Sequence, residues 1–295
     1  MSEDTVPKPP PNKGPQDPIS RFVASRVGRG PNLGARSEAF DRIQRPLWTF
    51  LNDYYFRVEV DGWERVPPGP SLLIGVHSGG SLTMDAWSFV EAWHRHFEGN
   101  RILHATAHDV LMAAPGLGDY FRAAGVIPAS RAGVSAALEG GHDVVVWPGG
   151  EQDAMRSWRK RDKAVLAGRK GFVRQAMRSG VPIVPVATVG GHDTVFVLSE
   201  GRFLARWTGL DKRLRGATMP IISGFPFPLA IEILPAHVPL PAKIRTEILD
   251  PIEVDNDPER LDDLDYVDRI YRQVQGSIQA GMDRLAKRRK FPVFG

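Results

Sequence analysis

The first residues whose types and spacing offer chemistry lie at the end of an apolar run. Residues 71–76 (SLLIGV) stop at His77 and open into Ser78, Gly79, Gly80, Ser81, Leu82, Thr83, Met84 and Asp85. Histidine is the side chain best suited to move a proton near neutral pH. A carboxylate eight positions on can fix its tautomer and stabilise the imidazolium if the loop folds back. Asp85 equally suits the cap of a helix beginning near Ala86. Ser78 introduces a different chemistry, because residues 76–80 (VHSGG) approach the G-x-S-x-G elbow of a serine hydrolase with valine in place of the first glycine. Its partners would be a downstream acid and base such as Asp211 and His237. A β-branched Val76 crowds that strained turn, which disfavours the hydrolase.

Three further groups carry polar chemistry. Ser130 and Arg131 suit a phosphate, which a guanidinium grips with paired hydrogen bonds. Pro148, Gly149, Gly150 and Glu151 form a turn in which two glycines let backbone approach a ligand and the carboxylate orients the loop or meets substrate hydroxyls. Arg169 and Lys170 precede a helix, the wrong end for cations, so a phosphate-bearing donor at the helix amides would compensate them. A solvated charge pair is the plainer reading. Gly190, Gly191, His192 and Asp193 can line the same crevice but match no metal-ligand spacing, and no H-E-x-x-H pattern occurs.

The elements that must position these groups alternate. Short apolar runs at 71–76, 101–106, 125–127, 143–147 and 182–188 read as buried strands. Helix-competent stretches at 82–97, 120–124, 132–139 and 171–179 separate them. That alternation predicts an α/β fold with a central, largely parallel β-sheet flanked by helices. Parallel strands joined by right-handed crossovers present their carboxyl ends on one edge. His77, Arg131 and Glu151 each follow such an end, so they are expected at one crevice.

The chain of 295 residues, with 42% hydrophobic and 24% charged residues, suits one α/β domain over 36–295. Residues 1–35, with six prolines in the first 18 positions and several arginines, read as a flexible basic tail. Zero cysteines exclude disulfides, thiolate metal sites and a cysteine nucleophile, and fit a cytoplasmic setting. A net charge of +4 suits an anionic partner such as a nucleotide-like co-substrate, a phospholipid headgroup or a membrane surface; no nucleic-acid partner is expected. No apolar stretch reaches the ~18 residues of a membrane span.

Phe40, Ile43, Leu47, Phe50 and Leu51 recur at helical spacing from about Ser37, with Pro46 predicting a break or kink. Packing into the core is the expected role of that stripe, with docking onto lipid the alternative. The same two readings apply to residues 220–241, rich in Pro, Phe, Ile and Leu. A C-terminal amphipathic helix carries Leu264, Val267, Ile270, Tyr271, Val274, Ile278 and Leu285, followed by Lys287, Arg288, Arg289 and Lys290. That cationic run is expected as a solvated tail, or as a contact for anionic lipid.

Taken together, the residues resemble the glycerolipid acyltransferase superfamily, and within it the diacylglycerol acyltransferase branch, over about residues 40–255. The resemblance rests on a strand followed by His77 and Asp85, on GVIPASR ending at Arg131, on WPGGE with Glu151, on GRKGFVRQA at 168–176, and on PIVPVAT at 182–188. Seven residues separate His77 from Asp85 where the family's commonest form has four, Val76 stands where asparagine often precedes the histidine, and Gly149 and Gly150 intervene before Glu151. The resemblance implies acyl-CoA as co-substrate with no bound cofactor, a glycerolipid hydroxyl as acceptor, and peripheral or integral membrane association, of which a peripheral position on the cytoplasmic face of a membrane is the expectation here. It implies direct transfer with His77 as general base oriented by Asp85. Ser78, Gly79, Gly80, Ser130, Arg131, Pro148, Gly149, Gly150, Glu151, Arg169 and Lys170 would line the substrates. A serine hydrolase built on Ser78 and a non-catalytic lipid-binding protein held by basic tails are the competing classes.

Overall fold

The computed structural model describes residues 18–27, 33–208, 218–232, 237–291 and 293. Its centre is a seven-stranded sheet built from β1 (Glu59–Asp61), β2 (Leu72–Ile74), β3 (Leu103–Ala107), β4 (Ile127–Pro128), β5 (Asp143–Val146), β6 (Ile183–Val189) and β10 (Arg245–Ile248). Their order is β1-β10-β6-β2-β5-β3-β4. The five strands from β6 to β4 are mutually parallel, as the alternating pattern predicts. β10 joins β6 antiparallel and carries β1 alongside it in parallel. In the middle, Leu72, Leu73 and Ile74 are fully buried between β5 and β6, which is why the strand reads as an unbroken apolar run.

Helices cover both faces. Leu264–Arg288 packs Val267, Ile270, Val274, Ile278 and Leu285 into the core beneath β6, so the amphipathic pattern selects the observed face. Met84–His96 covers the other face through Phe89 and Trp93. A separate antiparallel sheet joins β7 (Phe196–Ser199), β8 (Ile221–Ser223) and β9 (Ala230–Ile231).

Several expectations are corrected. Residues 18–27, assigned to the flexible tail, form the helix Pro18–Val27, and Leu33–Ala35 is a 3-10 turn; residues 1–17 and 28–32 lie outside the described residues. The helix Glu38–Phe50, capped by Ser37, runs through Pro46 without ending there and passes into a π turn at Leu51–Tyr55. Its apolar stripe divides: Phe40, Leu51, Tyr55 and Phe56 pack inward as expected, and the remainder is not core. Ile43, Leu47, Phe50 and Tyr54 are 78, 59, 54 and 71% exposed. The inward face is the neighbouring one, where Phe40 meets Tyr120 edge-on, Trp48 stacks on Trp87, and Gln44 accepts hydrogen bonds from Trp48 and Tyr120. The helix carries two adjacent apolar faces, and periodicity alone does not say which one meets protein. Packing of residues 220–241 is corrected in part: Ile222 is buried in the small sheet's core, whereas Phe225, Phe227, Leu229, Ile231 and Val238 are exposed.

Candidate active site

His77 is placed by main-chain clamps from a distant segment. Its N–H donates to the Asp153 carboxylate, and its carbonyl accepts from Arg156 Nη1 at 2.6 Å. Asp153 and Arg156 form an ion pair at 0 and 1% exposure, with Arg156 also donating to the carbonyls of Asp153, Lys160 and Arg161. A buried pair of this kind is tolerable only because nearly every donor is used. Burial pushes the Asp153 carboxyl up, opposed by the guanidinium and by the His77 amide.

The PGG turn makes that clamp possible. A Cβ on Gly149 would collide with Val165 O and with Asp153, so glycine lets Asp153 close onto the strand end. Gly150 sits at φ +53°, ψ −133°, a region that favours glycine. Trp147, at the end of β5, stacks on the His77 ring with centroids 4.6 Å apart and planes at 11°.

The rest of the loop is held the same way. Ser78 N–H donates to Asp85 Oδ2 at 3.0 Å, Gly79 N–H to His192 Nδ1 at 3.4 Å, and Ser81 N–H to Glu232 Oε1 at 3.1 Å. Left-handed Gly79 and Gly80, at φ +91° and +70°, turn the chain between these acceptors.

His77 Nδ1 is buried without a hydrogen-bond partner, as is Asp85 Oδ1. Burial, reinforced by the Arg156 guanidinium, lowers the His77 pKa to about 3, so the ring is neutral at physiological pH. Burial raises the Asp85 carboxyl to about 7 against the pull of the Ser78 and Ala86 amides. The expected hydrogen bond between Asp85 and the His77 ring is absent among the described residues. The seven-residue gap brings the carboxylate back onto the backbone of Ser78 instead.

Each of the other expected residues has a definite place. Ser130 accepts from Gly133 N–H at 3.1 Å and caps the helix Arg131–Glu139. Arg131 is exposed at that helix start, with no hydrogen bond or ion pair among the described residues. It follows edge strand β4, three strand spacings or roughly 14 Å from β2, on the same sheet edge as His77. Glu151 accepts from Thr218 N–H and, at 2.6 Å, from its hydroxyl, so it orients the loop. Arg169 donates to Pro148 O at 2.9 Å and lies against Gly150. Lys170 turns away to Asp268 at 2.5 Å, which corrects its place among the substrate-lining residues, while Arg169 stays on the PGG turn.

Ser78 Oγ is buried without a hydrogen-bond partner, with Gly191 packed so closely that a Cβ there would collide with it. Asp211 lies outside the described residues, and His237 is hydrogen-bonded to Glu232. No base addresses Ser78 among the described residues, so the nucleophile elbow is not formed. The 190–193 turn does line the site: besides His192 on Gly79, Asp193 accepts from Trp158 Nε1 at 2.7 Å and pairs with Arg289 at 2.5 Å. Arg289, expected in a solvated tail, is therefore buried against the loop that follows β6.

Asp153, Arg156, Trp147 and Glu232 were not singled out by their residue patterns. The one available signal was an acid and a guanidinium three apart directly after a strand and a glycine turn, in EQDAMR at 151–156.

A largely parallel sheet, covered by helices on both faces, that delivers a neutral histidine and two glycine-rich turns to one edge makes this an α/β protein with a candidate active site at that edge. The profile of the diacylglycerol acyltransferase family matches residues 29–275, and the chain belongs to that family. A Mycobacterium tuberculosis protein of uncharacterized function is 30% identical over 254 residues, covering 86% of this chain and 68% of its own length. Mouse acyl-CoA wax alcohol acyltransferase 1 is 26% identical over 270 residues, covering 87% and 81%. Phytyl ester synthase 1 of Arabidopsis thaliana is 25% identical over 283 residues, covering 88% of this chain and 39% of that one. The crystal structure of the 1-acyl-sn-glycerophosphate acyltransferase PlsC from Thermotoga maritima aligns with a TM-score of 0.49 at 18% identity, over 86% of this chain and 81% of that one. The chain is thus an acyltransferase acting on lipids.

Proposed function

We propose that the protein transfers a fatty acyl group from acyl-CoA to the hydroxyl of a glycerolipid or similar lipophilic alcohol, with His77 as general base. The observation that carries this reading is the His77 ring itself: neutral, stacked on Trp147, and clamped through both main-chain groups at the carboxyl edge of the sheet. Nδ1 is sealed inside the protein, which leaves Nε2 for the acceptor hydroxyl. As the hydroxyl oxygen attacks the thioester carbonyl, its proton passes to Nε2. The tetrahedral intermediate then collapses, the C–S bond breaks, and the imidazolium returns the proton to the departing CoA thiolate. No acyl-enzyme forms. Asp85, joined to the loop at Ser78, opposes the transient positive charge on His77. The Gly80 and Gly149 N–H groups, the turn amides not already donating among the described residues, are the ones placed to meet the oxyanion.

Arg131, exposed and without a protein partner among the described residues, suits the phosphates of the donor. The wax alcohol acyltransferase relative, whose name specifies acyl-CoA, supports that donor. A shallow groove of about 440 Å3, lined by Trp158, Phe196, Val197 and Leu198 with Arg159 and Ser223, offers apolar surface for a hydrocarbon chain. Exposed Ile43, Leu47, Phe50 and Tyr54 on one helix, and Phe203 and Trp207 on another, support a peripheral membrane position. No helix among the described residues is long and apolar enough to cross a membrane.

The test is CoA release from long-chain acyl-CoA in the presence of diacylglycerol or a long-chain alcohol in anionic vesicles. Alcohol-dependent CoA release with formation of the matching ester is the expected result. Release that is independent of the alcohol and yields free fatty acid would replace the transferase with a hydrolase.

A further inference from the structure

Besides His192, the catalytic loop touches a further histidine, His237. Glu232 and His237, at 1 and 7% exposure, are hydrogen-bonded through Glu232 Oε2 and His237 Nδ1. The other oxygen, Glu232 Oε1, accepts both the N–H and the hydroxyl of Ser81. A Cβ on Gly80 would sit 3.2 Å from Glu232 Oε1 and 3.3 Å from His237 Cε1, so the pair lies directly against the second half of the His77 loop. His237 Nε2 is buried with no hydrogen-bond partner. A carboxylate on Nδ1 fixes the proton there and leaves Nε2 as the lone-pair nitrogen.

Resting on the acyl-transfer reading of the site, we infer that Glu232 and His237 are positioning residues for the reaction. His237 orients the carboxylate through Nδ1–H, and the carboxylate holds Ser81 by its N–H and hydroxyl, which sets the adjoining Gly80 amide relative to His77. At its other end the same loop is fixed by Asp153 and Arg156. The two halves are held by separate ion or hydrogen-bond pairs from segments 76 and 151 residues away. Geometry of that kind governs how well amides meet a developing oxyanion, so its loss falls on kcat rather than on substrate capture.

The experiment compares His237→Asn with His237→Phe, and adds Glu232→Gln. Asparagine keeps a donor at the place of Nδ1, whereas phenylalanine removes it. The expected result is a kcat lowered about 10- to 100-fold in His237→Phe, with KM for acyl-CoA within about threefold and Tm close to that of the parent. His237→Asn should recover most of that loss. Unchanged kcat in a folded His237→Phe would overturn the inference, and so would an Asn variant as impaired as the Phe variant. Hydrogen exchange of residues 78–82 supplies a readout that needs no turnover. Faster exchange confined to that loop in His237→Phe or Glu232→Gln sustains the positioning role even if the parent protein shows no acyl transfer, and unchanged exchange overturns it.

Discussion

The loop that starts at His77 and the helix face that carries Ile43, Leu47 and Phe50 treat their surroundings in opposite ways. Within five residues of the loop, four main-chain N–H groups end on ionisable side chains from elsewhere: Asp153, Asp85, His192 and Glu232. On the helix face, large apolar groups project outward and the polar Gln44 takes the inward position. A core built around fixed amides costs burial of ionisable groups, which hydrogen bonding and ion pairing offset. An apolar rim costs exposure, which only an apolar partner offsets. The difference separates a rigid centre, where chemistry needs fixed geometry, from a periphery shaped for a lipid surface.

Breaking the centre should have the largest effect. Replacing Asp153 by Asn or Arg156 by Met leaves an unpaired buried charge or donor, and should lower stability by about 3–5 kcal/mol in urea unfolding. Gly149→Ala attacks the same clamp through the collision of its Cβ with Val165 O, and should cost about 1–3 kcal/mol in the same measurement.

Acid should weaken the centre by a route the periphery lacks. Burial lowers both His77 and His94 from 6.5 to about 3 and lowers His192 well below its ordinary value. The unfolded chain therefore binds these protons first as pH falls below about 6.5, and stability declines from there toward pH 3. Asp85 and Asp153 act in the opposite sense: burial raises them to about 7 and about 8, which favours the folded state while they are protonated, and that contribution fades as pH rises from about 4 to 8. The histidine part is isolated by one substitution: in urea unfolding His94→Gln should shift the change in stability between pH 7 and pH 5 in favour of pH 5 relative to the parent, because it removes one group that the unfolded chain protonates first.

At the rim the effect should be smallest on the protein and visible only with lipid. Ile43, Leu47 and Phe50 replaced together by Ser should leave Tm within a few degrees of the parent. Sedimentation with anionic vesicles should fall about tenfold or more, since each large apolar group carries roughly 1.5–3 kcal/mol of transfer free energy when fully buried. Vesicle binding that survives the triple substitution would assign this face to another partner.

Much of the fold was legible because its parallel strands are buried on both faces. SLLIGV, DVVVW and PIVPVAT have no competing helical reading when bounded by Gly and Pro, and they place His77, Glu151 and Gly190 on one edge. β1 and β10 were not legible: each has three or four residues and alternates burial, and they pair with segments far away in sequence. β7 to β9 are equally short. At the site, the histidine was legible from its strand end, whereas its clamps were not. The Asp153 contact spans 76 residues and the Glu232 contact 151, distances over which spacing carries no geometric information. Asp85 shows the converse. Eight positions is close enough to suggest a pair with the ring, but left-handed Gly79, Gly80 and Thr83 direct its carboxylate to the Ser78 amide.

The claim that His77 is the base of a direct transfer is tested most directly by His77→Ala and Ser78→Ala in one assay with radiolabelled acyl-CoA and a long-chain acceptor. The account predicts that His77→Ala, still folded, loses about 100- to 10,000-fold in kcat, and that Ser78→Ala keeps transfer within a few-fold of the parent with no labelled protein trapped. Full transfer by His77→Ala, or abolished transfer in Ser78→Ala with an acyl-enzyme trapped on the parent protein, would contradict it.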